Sequence, residues 1–539
     1  SSSTEFTPER GYSKFGAYMV MEHNGDASAA ARALRSQGYG GKDQIETPAE
    51  ASSGIPNSEK ILESLYRGQD GDAELFIELQ KDRFRFDHAA RCWFFWERHF
   101  WEEDSTLRII TATQEVIKCY GTELFNQNQK MRKALEVGEK EAEKEAEKIT
   151  QEIRKKIAAL HKWTHKNDVI KLASVGLGIK GNEWDQDPNI LCCRNGVIDL
   201  RNGEFRDGKQ EDYIKSVSPV QWAGIDAPCP TWDNFLFDVF NEDMDVIAYI
   251  QRLLGYSLTG LQIERIFPIL WGEEGNNGKT TLLETLAEVL GPQLAGPIQP
   301  EMLLDQDFAR SSANASPDIM SLRGKRIVWG SESKEGKLFD IGKIKRLAGG
   351  DTLIGRELYA KDVEFKPTHT LFFLTNRRPR AVSDDTAFWN RVHLIPFNIS
   401  FVSNPEGDNQ KSEVLDMKTK LLAEAPGILG WLVRGCLQWR ERGLKKPELI
   451  SSAGKKYRDE NDELGHFINE ECFRSPAVSV SPGMLWRGLT EWCENNGVKK
   501  ISMQALSRYL SKNYSIIADR KGAGGKKQYH GIGLRGDFL

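Results

Sequence analysis

The chain has 539 residues and a mass of 61.0 kDa, which at about 150 residues per domain implies three to four domains rather than one. Hydrophobic residues at 39% and charged residues at 28% supply enough apolar material for packed cores and exclude global disorder. A net charge of -5 excludes a protein basic throughout, but not a local basic track. No run approaches the ~18 uninterrupted apolar residues of a membrane span, so no membrane partner is expected. The eight cysteines form no C-x-x-C pair, which favours reduced thiols over a zinc or disulfide framework. The N-terminus, SSSTEFTPERGY, shows neither an initiator Met nor a secretory signal. A processed chain or a piece of a longer protein, residing in the cytoplasm, is expected.

Along the chain, Asp26 is placed to cap a helix through the Ala-rich run and Gly38 to end it. Gly41–Pro56 reads as a linker of small, polar and Pro residues. Helical patterns fill Asn57–Tyr120, with an aromatic cluster, CWFFWERHFW (Cys92–Trp101), assigned mostly to core. Asn126–His165 reads as one long, solvated, charged helix, with Glu136/Lys140 and Glu152/Lys156 at i,i+4. Asn195-Gly196 and Asn202-Gly203 mark hairpin turns in a β-rich stretch. From Trp232 to about Phe401, helices alternate with the apolar runs FPILW, KRIVWG, THTLFFLT and VHLIPF, the rhythm of a largely parallel sheet. Val414–Arg442 turns helical, and a last unit from about Ser475 combines helices with a Gly- and Lys-rich hairpin.

The strongest chemical signal is FPILWGEEGNNGKTTLLETLAEVLG. An apolar strand, Phe267–Trp271, runs into a Gly-rich loop that opens a helix at Gly278-Lys279-Thr280-Thr281. Backbone N–H groups around Gly272, Gly275, Asn277 and Gly278 can wrap a polyphosphate; Lys279 brings a cation to its β/γ oxygens, and Thr280 can ligate Mg²⁺. Five residues separate Gly272 from Gly278 where four are usual. Either the loop bulges by one residue or Gly275 replaces the early glycine. Hydrolysis also needs an acid and a polar sensor. Glu332 follows the strand Arg326–Trp329, and Asn376 follows Thr370–Thr375; both lie where open α/β sheets gather ligands. Between them, IKRLAGGDTLIGRELYAKDVEFKP reads as a helix stopped by Gly349-Gly350, then two short extended runs around Tyr359–Asp362.

From the phosphate loop through KRIVWGSES, LFFLTNRRP and DTAFWNRVHLIPF, the sequence resembles a superfamily 3 (AAA+) helicase. More narrowly, it is similar to the phage and plasmid primase–helicases related to the poxvirus replication helicase, over about Asn57 to the C-terminus. The resemblance implies Lys279 and Thr280 as nucleotide and Mg²⁺ contacts, Glu332 as the hydrolytic acid and second metal contact, and Asn376 as the sensor. It implies Arg391 as the arginine inserted into a neighbouring subunit's ATP site, and hence a hexameric ring. Many members carry two adjacent acids after the second strand; here Ser331 precedes Glu332. The segment around Tyr359–Lys361 corresponds to a hairpin that grips DNA in the pore. Lys361 is the first candidate contact, with Lys345 and Arg356 next, since neutralising phosphates suits a motor that reads no sequence. Gly497–Leu539 holds nine Lys/Arg against Asp519 and Asp537. SMQALSRYLSKNYS resembles a recognition helix and DRKGAGGKKQYHGIGL a basic wing, with Lys521, Lys526 and Lys527 as DNA contacts. GDASAAARALRSQGYG is similar to the segment that follows a primase–polymerase domain, so a primase domain or partner is expected upstream, with no primase activity in this chain.

The expected architecture is multidomain α/β: a mainly helical N-terminal and pre-helicase region, a central AAA+ P-loop ATPase and a C-terminal winged helix. The boundaries are 1–56 for a residual segment and linker, 57–227 for the pre-helicase domain and 228–403 for the ATPase core. A helical subdomain follows over 404–474 and the basic domain over 475–539. The expected function is an ATP- and Mg²⁺-dependent replicative helicase of a phage, plasmid or mobile element in a bacterial cytoplasm, acting on single-stranded or forked DNA. The competing reading is an ATP-switched initiator that melts or marks an origin without processive unwinding. A P-loop kinase would need an acceptor pocket and has no use for the basic tail.

Overall fold

The computed structural model describes residues 22, 33, 56–305, 316–331, 338–358, 361–381, 385–519 and 525–535. The Asp26–Gly38 helix, the linker before Pro56, Glu332, Tyr359 and Lys521 lie outside the described residues. The chain divides into two units, one of residues 1–84 and 106–177 and one of residues 85–105 and 178–539.

The first unit is helical: α1 (Ser58–Tyr66), α2 (Gly68–Gln80), α3 (Arg108–Val137), α4 (Lys140–Leu160) and α5 (Trp163–Gly176). The single long helix expected over 126–165 is not formed. Gly138 adopts φ 82°, and its N–H caps α3 through Ala134 O, so the chain leaves α3 and restarts as α4. Nor is α4 solvated all round, because Ala146, Thr150, Ile153 and Leu160 are buried. The expected Glu152–Lys156 pair is replaced: Glu152 pairs with Lys155 at 2.9 Å, and Lys156 turns inward. Its ammonium lies 3.1 Å from Asp72 on α2, a fully buried carboxylate that also accepts from Tyr120 on α3 at 2.8 Å. His165 on α5 meets the same carboxylate at 2.9 Å. Four helices thus converge on one buried charge, and that charge with burial holds the Tyr120 hydroxyl well above its ordinary pKa.

The second unit begins with a sheet of β1 (Phe84–Asp87), β2 (Cys92–Glu97), β3 (Phe100–Glu103) and β4 (Gly178–Ile179), in the order β3-β2-β1-β4. Phe94 and Trp101 from the aromatic run are buried there with Ile179 and Trp184. A second sheet holds β5 (Ile190–Cys193), β6 (Gly196–Asp199), β7 (Glu204–Arg206) and β8 (Val217–Ser218). Both expected hairpins form, but Gly196 already pairs with Cys193, so the first turn is Arg194-Asn195 rather than Asn195-Gly196.

Two helices, α6 (Pro230–Val239) and α7 (Met244–Ser257), lead into the central sheet. Its strands are β9 (Phe267–Trp271), β10 (Ala295–Pro297), β11 (Ile327–Ser331), β14 (Thr370–Thr375) and β15 (Val392–Pro396). All pair in parallel, in the order β10-β11-β14-β9-β15. Between them run α8 (Lys279–Leu290), α9 (Pro317–Met320), α10 (Ile341–Leu347), the antiparallel pair β12 (Leu353–Gly355) and β13 (Val363–Phe365), and α11 (Thr386–Trp389). Every residue of β14 is buried. Phe372 and Leu374 face one apolar cluster and Leu371 and Phe373 the other, which is why this strand reads as an unbroken apolar run.

After β15 come β16 (Ser400–Val402), β17 (Gln410–Ser412), α12 (Met417–Leu422), α13 (Ala425–Arg442) and α14 (Glu448–Glu460). The chain then forms α15 (Glu463–Glu471), β18 (Cys472–Val480), α16 (Pro482–Asn495), α17 (Met503–Tyr514), β19 (Ala518–Asp519) and β20 (Gln528–Leu534), with its own apolar cluster and strand order β18-β20-β19. No helix among the described residues is long and apolar enough to cross a membrane.

Asp72→Ala would leave Lys156 and His165 facing an emptied site, with an expected cost of about 3–5 kcal/mol in chemical denaturation. Glu152→Ala, which breaks only an exposed pair, should cost less than about 1 kcal/mol.

Candidate functional site

The strand order brings the C-terminal ends of β11, β14 and β9 side by side. Ser331 is in register with Leu374, and Thr375 with Trp271. Ligands of open α/β sheets collect at such an edge. The loop after β9 turns into α8 at Gly278, whose φ of 83° lies in the left-handed region that favours glycine. No side chain caps α8, so its first-turn N–H groups keep their capacity for an anion.

Two glycines of this loop differ in what surrounds them. A Cβ on Gly272 would lie 2.7 Å from both Asn277 Oδ1 and Phe397 O, whereas Gly275 faces open space. The fifth intervening residue is taken up as an outward excursion: residues 273–276 are exposed, and Asn276 sits at φ 55°. Contacts from beyond β15 hold the excursion. Phe401 N–H donates to Asn276 O at 2.9 Å, Ser400 Oγ to Gly275 O at 2.9 Å, and Asn277 Nδ2 to Ile399 O at 2.9 Å. These anchors carry no local sequence signal; they act across more than 120 residues.

Lys279 is buried and donates to Asn277 Oδ1 at 2.9 Å, Asn376 Oδ1 at 2.8 Å and Gly272 O at 3.4 Å. All three acceptors are neutral oxygens. Burial pushes the ammonium down to about 8. The loop lysine and Asn376, 97 residues apart, are therefore in direct contact. Thr280 is exposed on the first turn of α8, and Thr281 is half-buried beside it. The donor set fits a polyphosphate with its metal: a cation and uncapped N–H groups for the anion, and an exposed hydroxyl for Mg²⁺. Glu332 follows the last residue of β11, but its own position is outside the described residues.

Arg391 lies elsewhere. It precedes β15, its carbonyl accepts from Phe267 N–H at 2.6 Å, and its guanidinium donates to Ala387 O at 2.6 Å. Phe267 starts the strand whose far end carries the Gly-rich loop. At about 3.3 Å per residue, the length of β9 puts Arg391 roughly 16 Å from its own chain's loop. Arg378 stacks over Trp271 at 4.4 Å and pairs with Glu460 at 2.5 Å, which accounts for one of the two arginines after Asn376.

Among the DNA candidates, Lys361 is exposed at the turn between β12 and β13. Lys345 is on α10 and pairs with Asp385 at 2.6 Å. Burial works to raise the Asp385 carboxyl, but the bonds from Lys345 and Phe388 N–H hold it below the usual range. Arg356 lies 3.8 Å from Asp362 at the base of the turn. Lys526 and Lys527 are exposed ahead of β20.

Residues 73–241 match a family described as D5 N terminal like, and residues 270–391 match a family of unknown function, DUF5906. A protein of Acanthamoeba polyphaga mimivirus named "Putative helicase" is 30% identical over 460 residues, which cover 81% of this chain and 47% of that protein. Over these stretches the chain is similar to proteins of the D5 type, among them the one named "Putative helicase". A protein of African swine fever virus named "Putative primase" is 22% identical over 351 residues, covering 61% of this chain and 36% of that one. The chain spans about half or less of the length of these relatives, which come from large DNA viruses. Among solved structures, the NrS-1 C terminal region aligns with a TM-score of 0.36 at 14% identity, covering 65% of this chain and 83% of that one.

Gly272→Ala should displace Asn277 and weaken nucleotide binding at a folding cost of about 1–3 kcal/mol, while Gly275→Ala should leave both near wild type in calorimetric titration and thermal melts. The depressed Lys279 ammonium sets a pH dependence. Below about pH 8 it is charged and ready for phosphate; above, it must first take up a proton, so ATP affinity should fall about tenfold per pH unit. Affinity that stays flat from pH 7.5 to 9.5 would remove Lys279 from the phosphate contact.

Proposed function

We propose that this chain is the motor part of a replicative DNA helicase, an AAA+ ATPase of superfamily 3 that works as a ring on single-stranded or forked DNA. The observation that carries the reading is the buried Lys279 ammonium, held between the Gly-rich loop and Asn376 by neutral oxygens alone. ATP is the substrate for this cleft. Lys279 and the first-turn N–H groups of α8 would bind its β and γ phosphates, Asn376 would orient groups beside the γ-phosphate, and Glu332 would take the proton of the attacking water. Mg²⁺, held by Thr280 and Glu332, would neutralise charge building on the phosphate oxygens.

The place of Arg391 supports a shared site. Phosphoryl transfer commonly uses an arginine to neutralise developing charge. Arg391 sits at the opposite strand ends from its own loop, so it could serve that role only for a neighbouring copy. The β12–β13 pair supports a DNA grip: it falls between β11 and β14 in the sequence and carries the exposed Lys361 at its turn. The C-terminal order of helix, strand, two helices and two strands, with Lys526 and Lys527 exposed, supports a winged helix on duplex or forked DNA. The names of the viral relatives point to the same setting of DNA replication and leave room for a primase partner.

Strand separation on a forked duplex tests the reading. Wild type should unwind with ATP, and small fractions of Arg391→Ala should inhibit it out of proportion to their share, because each bad subunit spoils its neighbour's site. Additive mixtures would overturn the shared site. Lys361→Ala should keep ATP turnover and lose unwinding; unchanged unwinding would remove the hairpin from the DNA path.

A further inference from the structure

At the sheet edge opposite the phosphate loop, the second unit holds an open groove of about 490 Å³. It is walled by β2 and β3, by the β5–β8 sheet, and by the loops leading into the N-terminal ends of β10 and β11. Four cations line it: Arg194, Lys215, Arg323 and Lys325. The site already described uses none of them.

Three of these cations, Arg194, Arg323 and Lys325, are held in place by neutral groups alone. Lys325 donates to Pro292 O at 2.6 Å, and Arg323 donates to Gly181 O. Arg194 lies 5.5 Å over the Phe100 ring, and Lys215 lies 5.3 Å over Phe94. Among the described residues, Arg194, Arg323 and Lys325 make no ion pair. Lys215 reaches Asp87 only at 3.9 Å, and that carboxylate already accepts from Trp184 at 2.8 Å. Half-burial without a counter-charge is costly and draws the Lys325 ammonium below its ordinary pKa. An anion entering the groove would offset that cost. Two exposed acids, Glu102 and Glu103, stand on the rim and oppose it.

The aromatic rings under Arg194 and Lys215 are buried, with Phe100 at 3% and Phe94 at 5%, so they offer no open face for base stacking. The groove therefore presents positive charge without an aromatic platform for stacking bases, which suits a phosphodiester backbone. Its cations come from three separate segments, around 194, 215 and 323–325, and so face a chain of phosphates better than one small anion. We propose that this groove carries the backbone of single-stranded DNA along the N-terminal edge of the ATPase sheet, as a contact separate from the Lys361 turn. The proposal rests on the reading of the chain as a DNA helicase.

The test is binding of a fluorescent oligo-dT by the full chain across a salt series, followed by anisotropy. The double variant Arg194→Ala/Lys325→Ala should bind about tenfold more weakly at moderate salt, and its log–log salt slope should be shallower by about 1.4, for two lost phosphate contacts. Glu102→Gln should bind more tightly, a change of opposite sign that general damage would not produce. ATP turnover without DNA and thermal melting should match wild type. Should Lys325→Ala disturb folding, Arg194→Ala and Glu102→Gln still give opposite shifts. A wild-type slope in the groove variants, with binding lost only in Lys361→Ala, would overturn the groove and leave the helicase reading standing. The same titration is run with a fluorescent duplex of equal length, and a groove-variant defect confined to the duplex would overturn the single-strand assignment. A wild-type chain that binds no oligonucleotide would overturn the DNA reading and the groove with it.

Discussion

An ammonium kept dry and unpaired is the constraint on which the centre of this molecule depends. Lys279 sits among the oxygens of Gly272, Asn277 and Asn376, with no negative charge among these partners to meet its own. Each of the three must be held from outside, because burial favours the neutral amine and no local helix geometry would gather these oxygens. Gly272 N–H is pinned to Thr375 O at 3.2 Å, and Asn277 is pinned to Ile399. Asn376 is carried by the end of β14. The cleft is thus a property of three adjacent strands, β14, β9 and β15, in register. A one-residue slip of β14 would turn Phe372 and Leu374 to the wrong layer and move Asn376 away from the lysine.

The same sheet separates tasks by its two edges. The Gly-rich loop, Lys279 and Asn376 gather where the strands end; Arg391, the buried Arg326 and the cationic groove gather where they begin. Arg326 is fixed by Pro188 O at 3.2 Å, and the neighbouring His369 is wholly buried and pushed down to about 4, so it stays neutral near physiological pH. A strand of five residues, roughly 16 Å, is long enough to prevent charges at one edge from acting directly on the other through salt water. Within this chain, what passes between the edges must pass through the packed strands.

Much of this was legible because it is written in local patterns. The apolar runs of the central sheet, the loop opening a helix at Lys279 and the two extended runs about Lys361 follow from periodicity and glycine placement. What was not legible is long-range. Alternating Glu and Lys over 139–156 suggested a solvated helix with Lys156 on Glu152, but the true partner, Asp72, lies 84 residues earlier. The glycine at 138 is the local stop signal that the reading of one helix over 126–165 does not use; its left-handed φ ends α3. Spacing alone could not choose between Gly272 and Gly275, because the decision comes from Phe397 O, a backbone atom more than 120 residues away. The turn at Arg194-Asn195 was misplaced by one residue because cross-strand register, not the Asn-Gly dipeptide, sets its centre.

The stretch from Asn376 to Arg391 shows how far the frame of the site extends. Its only helix among the described residues is α11, a single turn with few internal hydrogen bonds to fix its place. Outside contacts fix it instead. Tyr457 on α14 donates to Pro379 O, Asn461 accepts from Ala381 N–H at 2.9 Å, and Glu460 holds Arg378. From α17, Lys512 donates to Thr386 Oγ1 at 2.8 Å; from α10, Lys345 holds Asp385, which caps α11 through Phe388 N–H at 2.9 Å. Arg391 then leans on Ala387 of the same turn. The C-terminal helices and the helix leading to the β12–β13 pair are therefore structural parts of the segment that joins Asn376 to Arg391, although neither touches Lys279.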